Sequence, residues 1–333
     1  MLTNSEVIAL NLIKDDLVFL LTIFNNQKFI SSQYFVAMVP YIGVIIDGTS
    51  KWGNKVADIN KLIYSLSEEE KHYYEITRNT VKLWETSSDN LLNTFESKYQ
   101  EAITYFSNVC HPFAKKLELY DVYGAYIIDE IHCDNTILDS VIIPNFSYEN
   151  FDGEYIKNMS TVIGGLAVNF NATHEQLFQV DNSLHFITKD YGGFKKSPLG
   201  NKFSINFILY SLMCSINFVI HGINRLLIDD IPIKLRSSYL MYYGLKNITQ
   251  ILKENYNIEI NYDGSWQSDK FRNCMAHYAI GPVMSQKEIN KDDKFGGVTD
   301  KFFSMPWSEF NKIILKELMN VSSQLNELIK TNC

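Results

Sequence analysis

The stretch from Asp269 to Pro282, DKFRNCMAHYAIGP, carries Arg272, Asn273 and His277 on what reads as one short helix, opened by Asp269 as N-cap and closed at Gly281-Pro282. Asn273 and His277 are four residues apart and share a helix face. Arg272 is offset from His277 by about 140° at 3.6 residues per turn, yet its long side chain can swing toward the same place. The unpaired amides of a helix start favour an anion. A fixed cation, an amide and a titratable imidazole are the parts needed to hold a phosphodiester and to move a proton. His277, with an ordinary pKa near 6.5, suits either proton role. Arg272 offers planar, always-charged donors to phosphate oxygens, and Asn273 would orient the phosphate or the histidine. None of this needs a metal ion or another cofactor.

The elements that must position these residues read as helices. Residues 4–24 repeat apolar side chains at helical spacing, from Val7 and Ile8 to Leu20 and Leu21. Ser67 with Glu70 three residues later is a capping-box signature, and the helix it opens runs toward Cys110 with a break near Thr86–Asn90. Within residues 120–150 the run Ser140-Val-Ile-Ile-Pro144 reads as a short strand. Residues 186–203, with paired glycines, a proline-glycine turn signal and a basic cluster, form the best boundary. Behind it come an apolar helix over 204–228, an amphipathic one over 235–256, the 270–280 helix, and a last helix opening near Pro306. That last helix carries Ile314, Leu318, Val321, Leu325 and Leu328 as a packing stripe. These patterns predict an all-α protein with a mostly helical N-terminal domain at 1–195 and a helical bundle at 200–333.

Composition narrows the function classes. Residues 1–200 hold 15 Lys+Arg against 25 Asp+Glu, and residues 201–333 hold 15 against 13. The acidic first half is a poor nucleic-acid surface, because phosphate neutralisation needs clustered cations. The start, MLTNSEVIALNLIKDD, lacks the basic region of a cleavable signal. The run Ile205–Ile223 is interrupted by Asn206, Ser211, Ser215 and Asn217, which favours a buried core helix over a membrane span. Five scattered cysteines without a CxxC pair read as reduced thiols, and the expected location is the cytoplasm.

Other patterns compete for attention. Cys110-His111 and His132-Cys133 could suggest a zinc site, but adjacent pairs cannot easily both turn to one ion. His221, Asn224 and Arg225 are about a turn apart on the apolar helix and could face the same cleft, although a core histidine is the simpler reading. Residues 46–55, IDGTSKWGNK, lack the spacing of a phosphate-binding loop. Arg78-Asn79 begins the same pattern as Arg272-Asn273, but position 83 is leucine. Arg272 could also do no more than pair with a neighbouring acid, with His277 on the bundle rim.

The Arg272-Asn273-x3-His277 segment, late in a four-helix stretch, resembles the signature of HEPN domains (higher eukaryotes and prokaryotes nucleotide-binding). The resemblance covers roughly residues 200–333. Tyr278 directly follows the histidine, where some members have their tyrosine one position later, so Tyr278 is given no role. The resemblance implies a metal-independent endoribonuclease in which the RNA 2′-hydroxyl attacks its own phosphodiester, with Arg272, Asn273 and His277 as the catalytic set. It further implies a homodimer with a composite site and a role in anti-phage defence or stress-induced growth arrest. Residues 1–195 would then be a sensor, regulatory or dimerisation part, open to a regulatory protein or ligand. Two alternatives remain: a non-catalytic helical sensor or dimerisation protein, which the acidic surface suits, and an enzyme acting on another phosphate ester.

Overall fold

The computed structural model describes residues 2–56, 62–63, 65–80, 88–149, 151–172, 177–192, 197–200 and 202–332. Among them the protein is predominantly α-helical, in keeping with the sequence pattern, with one small sheet of three strands. The first half supplies α1 (Asn4–Asn25), α2 (Ser32–Ala37), α3 (Val39–Val56), α4 (Glu68–Asn79), α5 (Ser88–Val109) and α6 (Pro112–Lys116). Ser67 and Glu70 form the expected capping box, with Ser67 Oγ accepting from Glu70 N at 3.1 Å and Glu70 Oε2 accepting from Ser67 N at 2.7 Å. The helix it opens stops at Asn79, and α5 begins at Ser88; most of the predicted break lies outside the described residues.

The stretch after α6 departs from expectation. Strands β1 (Asp121–Ile128) and β2 (Ile131–Asn135) form an antiparallel hairpin, and β3 (Phe186–Gly192) pairs with the other edge of β1, giving the order β2-β1-β3. Asp129 and Glu130 turn the hairpin with φ of 46° and 69°. A two-residue turn of that hand matches the twist of its strands, but it lacks the glycine that would have announced it. Ser140–Ile142, expected as strand, instead end α7 (Thr136–Ile142), because Asn135 caps that helix by accepting from Leu138 N at 2.9 Å. The expected boundary segment begins with β3, while 193–196 and 201 lie outside the described residues. Helix α8 (Phe151–Asn169) lies between β2 and β3 in the chain.

The second half supplies α9 (Ile205–Asn217), α10 (Pro232–Tyr256), α11 (Asp269–His277), α12 (Val298–Phe303) and α13 (Trp307–Asn332). Helix α9 runs on into a π-helical segment, Phe218–Arg225, a geometry usually confined to single turns. The continuous element has mean hydropathy 1.5 over its most apolar window, and 78% of that window is buried inside the fold. It is a core helix. It packs against α13 and β2, and of the expected stripe Ile314, Leu318, Val321 and Leu325 are fully buried and Leu328 is partly buried. One continuous apolar core joins both ends of the chain: α1 packs on α8 and α10, and α3 packs on α4 and α11. That last packing brings residues about 220 positions apart in sequence into one site.

Candidate functional site

Helix α11 is cut to length at both ends by specific side chains. Its N-cap is Ser268, whose Oγ accepts from Phe271 N at 3.3 Å, one residue before the expected Asp269. Asp269 is the first helical residue and accepts from the Tyr243 hydroxyl at 2.8 Å. At the other end the helix stops at His277, short of Gly281, because Tyr278 adopts the left-handed conformation with φ 54°. A side chain there costs about 1–2 kcal/mol, and buried contacts around Tyr278 offset it. The Tyr278 hydroxyl donates to Asp16 Oδ2 at 2.7 Å and accepts from Arg236 Nη1 at 2.9 Å. The Arg236 guanidinium lies 4.0 Å from the centre of the tyrosine ring and forms an ion pair with Asp16. Arg236 Nε also donates to Met275 O at 2.6 Å, a carbonyl in the last turn of α11. Gly48 on α3 makes room for this ring, since a Cβ there would sit 2.3 Å from Tyr278 Cε2. The position that sequence reading left without a role therefore fixes where α11 ends.

With its end anchored, α11 presents His277 to α3. Lys51 Nζ donates to His277 Nδ1 at 3.0 Å and to Asp47 Oδ2 at 2.7 Å, and Asp47 Oδ2 lies 3.4 Å from the same Nδ1. Arg78 Nε, on α4, donates to Asp47 Oδ1 at 3.4 Å. Trp52 Nε1 donates to the His277 carbonyl at 3.4 Å. Partial burial is the main cause that lowers the His277 pKa below its ordinary 6.5; Lys51, Arg272 and Arg236 lower it further, against the opposing pull of Asp47. Burial would raise the Asp47 carboxyl, but the hydrogen bonds from Lys51 and Arg78 and the charges of Lys51 and His277 carry it below its ordinary value.

These groups sit on the wall of one cavity of about 610 Å³, within the ~300–1,000 Å³ usual for small-molecule sites. Arg272 and His277 both line it, together with Asp47, Lys51 and Arg78. Asn273 is exposed, does not line the cavity, and accepts from Arg272 Nη1 at 3.3 Å. The structure thus brings Arg272 and His277 together and places Asn273 beside the arginine. Arg272 also lies 5.8 Å from the centre of the Tyr243 ring.

The same cavity is lined by two buried carboxyls, Asp134 at the end of β2 and Asp139 on α7. Burial pushes Asp134 up to about 7 and Asp139 well above its ordinary range, and their proximity adds to the rise at Asp139. Asp134 Oδ1 accepts from Asn135 N at 2.8 Å, and Asp139 Oδ2 accepts from Gln33 Nε2 at 2.9 Å. Asp134 Oδ2 has no donor other than the neighbouring Asp139 carboxyl among the described residues, and the two carboxyls share a hydrogen bond. Tyr41 and Phe218, stacked at 6.1 Å, contribute aromatic wall.

The remaining motifs engage elsewhere. Among the described residues no three His, Cys, Asp or Glu side chains gather as metal ligands. Cys110 Sγ donates to Ser107 O, and His132 Nδ1 lies 2.6 Å from the Tyr210 hydroxyl. Arg225 pairs with Asp129 at 2.7 Å, and Asn224 Nδ2 donates to Ser238 Oγ at 3.0 Å, so neither joins His277.

Sequence reasoning missed Asp47, Lys51, Asp134 and Asp139 and set Arg78 aside. Asp47 and Lys51 lie within residues 46–55, whose glycines lack phosphate-loop spacing. Their i,i+4 acid–base spacing was a visible signal, but it occurs on most surface helices. Compared with protein-family models, curated proteins and solved structures, the chain matches none.

Proposed function

We propose that the protein is a metal-independent endoribonuclease of the HEPN type, with Arg272 and His277 at the reacting phosphodiester. The observation that carries this reading is the convergence of Arg272, Arg78, Lys51 and His277 on one end of a nucleotide-sized cavity. In an overall acidic protein, three permanent cations and an imidazole outnumber the two acids beside them, Asp47 and Glu75, and favour an anion at this cavity. In the reaction, the 2′-oxygen bonds to the adjacent phosphorus and the bond to the 5′-oxygen breaks. The 2′-hydroxyl proton leaves to a base, and a proton is delivered to the departing 5′-oxygen. The products are a 2′,3′-cyclic phosphate and a free 5′-hydroxyl.

The surroundings of His277 support both proton roles. When Nδ1–H donates to Asp47, Nε2 holds the lone pair that a base needs. The acid role belongs to the imidazolium that forms once Nε2 has taken a proton, which Asp47, 3.4 Å from Nδ1, favours. Arg272 and Arg78 would hold non-bridging oxygens, and Asn273 would orient Arg272 rather than the phosphate. A homodimer would bring two such sets together, and a defence or growth-arrest role rests on the family resemblance alone.

The test is cleavage of labelled RNA in EDTA, with melting temperature read on the same samples. His277→Ala is expected to fold normally and lose about 10²–10⁴ in rate. Arg272→Lys is expected to be severely impaired, since a point charge cannot replace the planar fork. A folded His277→Ala protein with full activity would end this reading.

A further inference from the structure

The cavity is chemically two-ended, and the proposed reaction uses only one end. The partly exposed rim carries Arg272, Arg78, Lys51 and His277 together with the acids Asp47 and Glu75, whereas Asp134 and Asp139, on the same wall, are both buried. Burying two carboxyls side by side is costly unless their oxygens are satisfied. Here one oxygen of each is held by Asn135 N or Gln33 Nε2, while Asp134 Oδ2 has among the described residues no donor beyond the Asp139 carboxyl itself. A proton between the carboxyls lessens their repulsion, but the pair still offers more acceptors than the protein supplies donors. The same wall carries the stacked Tyr41 and Phe218 among aliphatic residues such as Val44, Leu138 and Met241.

A ligand complementary to this cavity is anionic at one end, flat in the middle, and rich in N–H donors at the far end. We infer that the cavity is a base-selecting pocket, in which Asp134 and Asp139 receive the exocyclic amino group of an adenine, cytosine or guanine base whose phosphate sits at Arg272 and Arg78. The inference rests on the proposed ribonuclease reading only for the place of the phosphate. Flat bases stack on aromatic side chains without regard to sequence, so discrimination falls to the carboxyl end. Uracil presents a carbonyl where cytosine presents an amino group, and a carbonyl facing two acceptor-rich carboxyls loses its hydrogen bonds to water without replacement.

The probes are adenosine, cytidine, guanosine and uridine 3′-monophosphates and inorganic phosphate, titrated calorimetrically against the full chain. The three amino-bearing nucleotides are expected to bind about tenfold or more tightly than the uridine nucleotide, the value of one satisfied hydrogen bond. Asp134→Asn and Asp139→Asn keep the shape but place an amide among the acceptors; each is expected to erase the preference while leaving inorganic phosphate binding unchanged. Equal affinity of the wild-type protein for all four nucleotides would overturn the inference, whether or not either variant folds. Cleavage of homopolymeric RNA separates the two readings. Cleavage of all four polymers at one rate sinks the base pocket and leaves the ribonuclease standing. Selective nucleotide binding with no cleavage sinks the ribonuclease and leaves the pocket.

Discussion

Two acid–cation clusters join α11 to the N-terminal helices, and they are built to opposite specifications. Under the end of the helix, Asp16 and Arg236 are 0% and 1% exposed in their side chains, roofed by Tyr278. One turn of α3 away from Gly48, at the cavity mouth, Lys51 and Arg78 are 48% and 40% exposed around a partly covered Asp47. A buried pair has no water to fall back on, so it has one workable geometry and is costly to break. An exposed pair exchanges partners with solvent and anions at little cost, and contributes about 0–1 kcal/mol. The first cluster can therefore fix position and the second can do chemistry. They meet in two successive residues, Tyr278 in the first and His277 in the second.

The comparison breaks most visibly at Arg236. Arg236→Met leaves Asp16 buried without a cation, and the expected loss is about 3–5 kcal/mol of stability, read by denaturant unfolding. The double variant Asp16→Leu/Arg236→Met should recover most of that loss, because the stranded charge is gone. A single variant as stable as wild type would remove the contrast between the clusters. Gly48→Ala comes next. Its Cβ would overlap the Tyr278 ring at 2.3 Å, and overpacking of this kind costs about 1–3 kcal/mol. The thermal midpoint should fall, and His277 should lose its contact with Lys51 as Tyr278 is displaced.

The smallest effect sharpens the mouth. Lys51→Met is expected to change stability little at pH 8 but to raise the His277 pKa, followed by NMR titration of the imidazole. The sign follows from the neighbours. Lys51 disfavours the imidazolium and Asp47, 3.4 Å away, favours it, so removing the lysine leaves the acid unopposed. A lowered folded pKa means that the unfolded chain takes up its proton first as pH falls below about 6.5. The wild-type protein should lose stability on acidification through that window, and Lys51→Met should lose less of it. An unmoved His277 titration would show that the lysine does not govern the imidazole.

What could be read from sequence divides along the same line. Periodicity located α1, α9, α10 and α13, and Ser67 with Glu70 located the start of α4, because those signals are local. The length of α11 was misjudged by the same local logic. Gly281-Pro282 is the stronger stop signal by composition, but Tyr278 stops the helix through partners on α1 and α10, far away in sequence. Arg272 and His277 were found as a pair because they lie on one element. Asp47, Lys51 and Arg78 were not, since only the packing of α3 and α4 against α11 makes them neighbours. The hairpin goes unannounced because Asp129-Glu130 makes a tight turn without glycine, while the strand expected at Ser140–Ile142 is helix because Asn135 caps it. Asp134 and Asp139 looked like ordinary acids of an acidic half.

Because Tyr278 closes the gap between the two ends of the chain, synthesis order matters to this protein. A ribosome delivers Asp16, Asp47, Lys51 and Arg78 long before it delivers Arg236, and Arg272 and His277 later still. Until then Asp16 lacks the cation that lets it be buried, and the wall of α3 has no facing helix. Contacts of this sequence separation form late in folding. A nascent chain that stops short of Tyr278 lacks the group that ends α11 against Asp16 and Arg236, so one wall of the cavity is left unfixed.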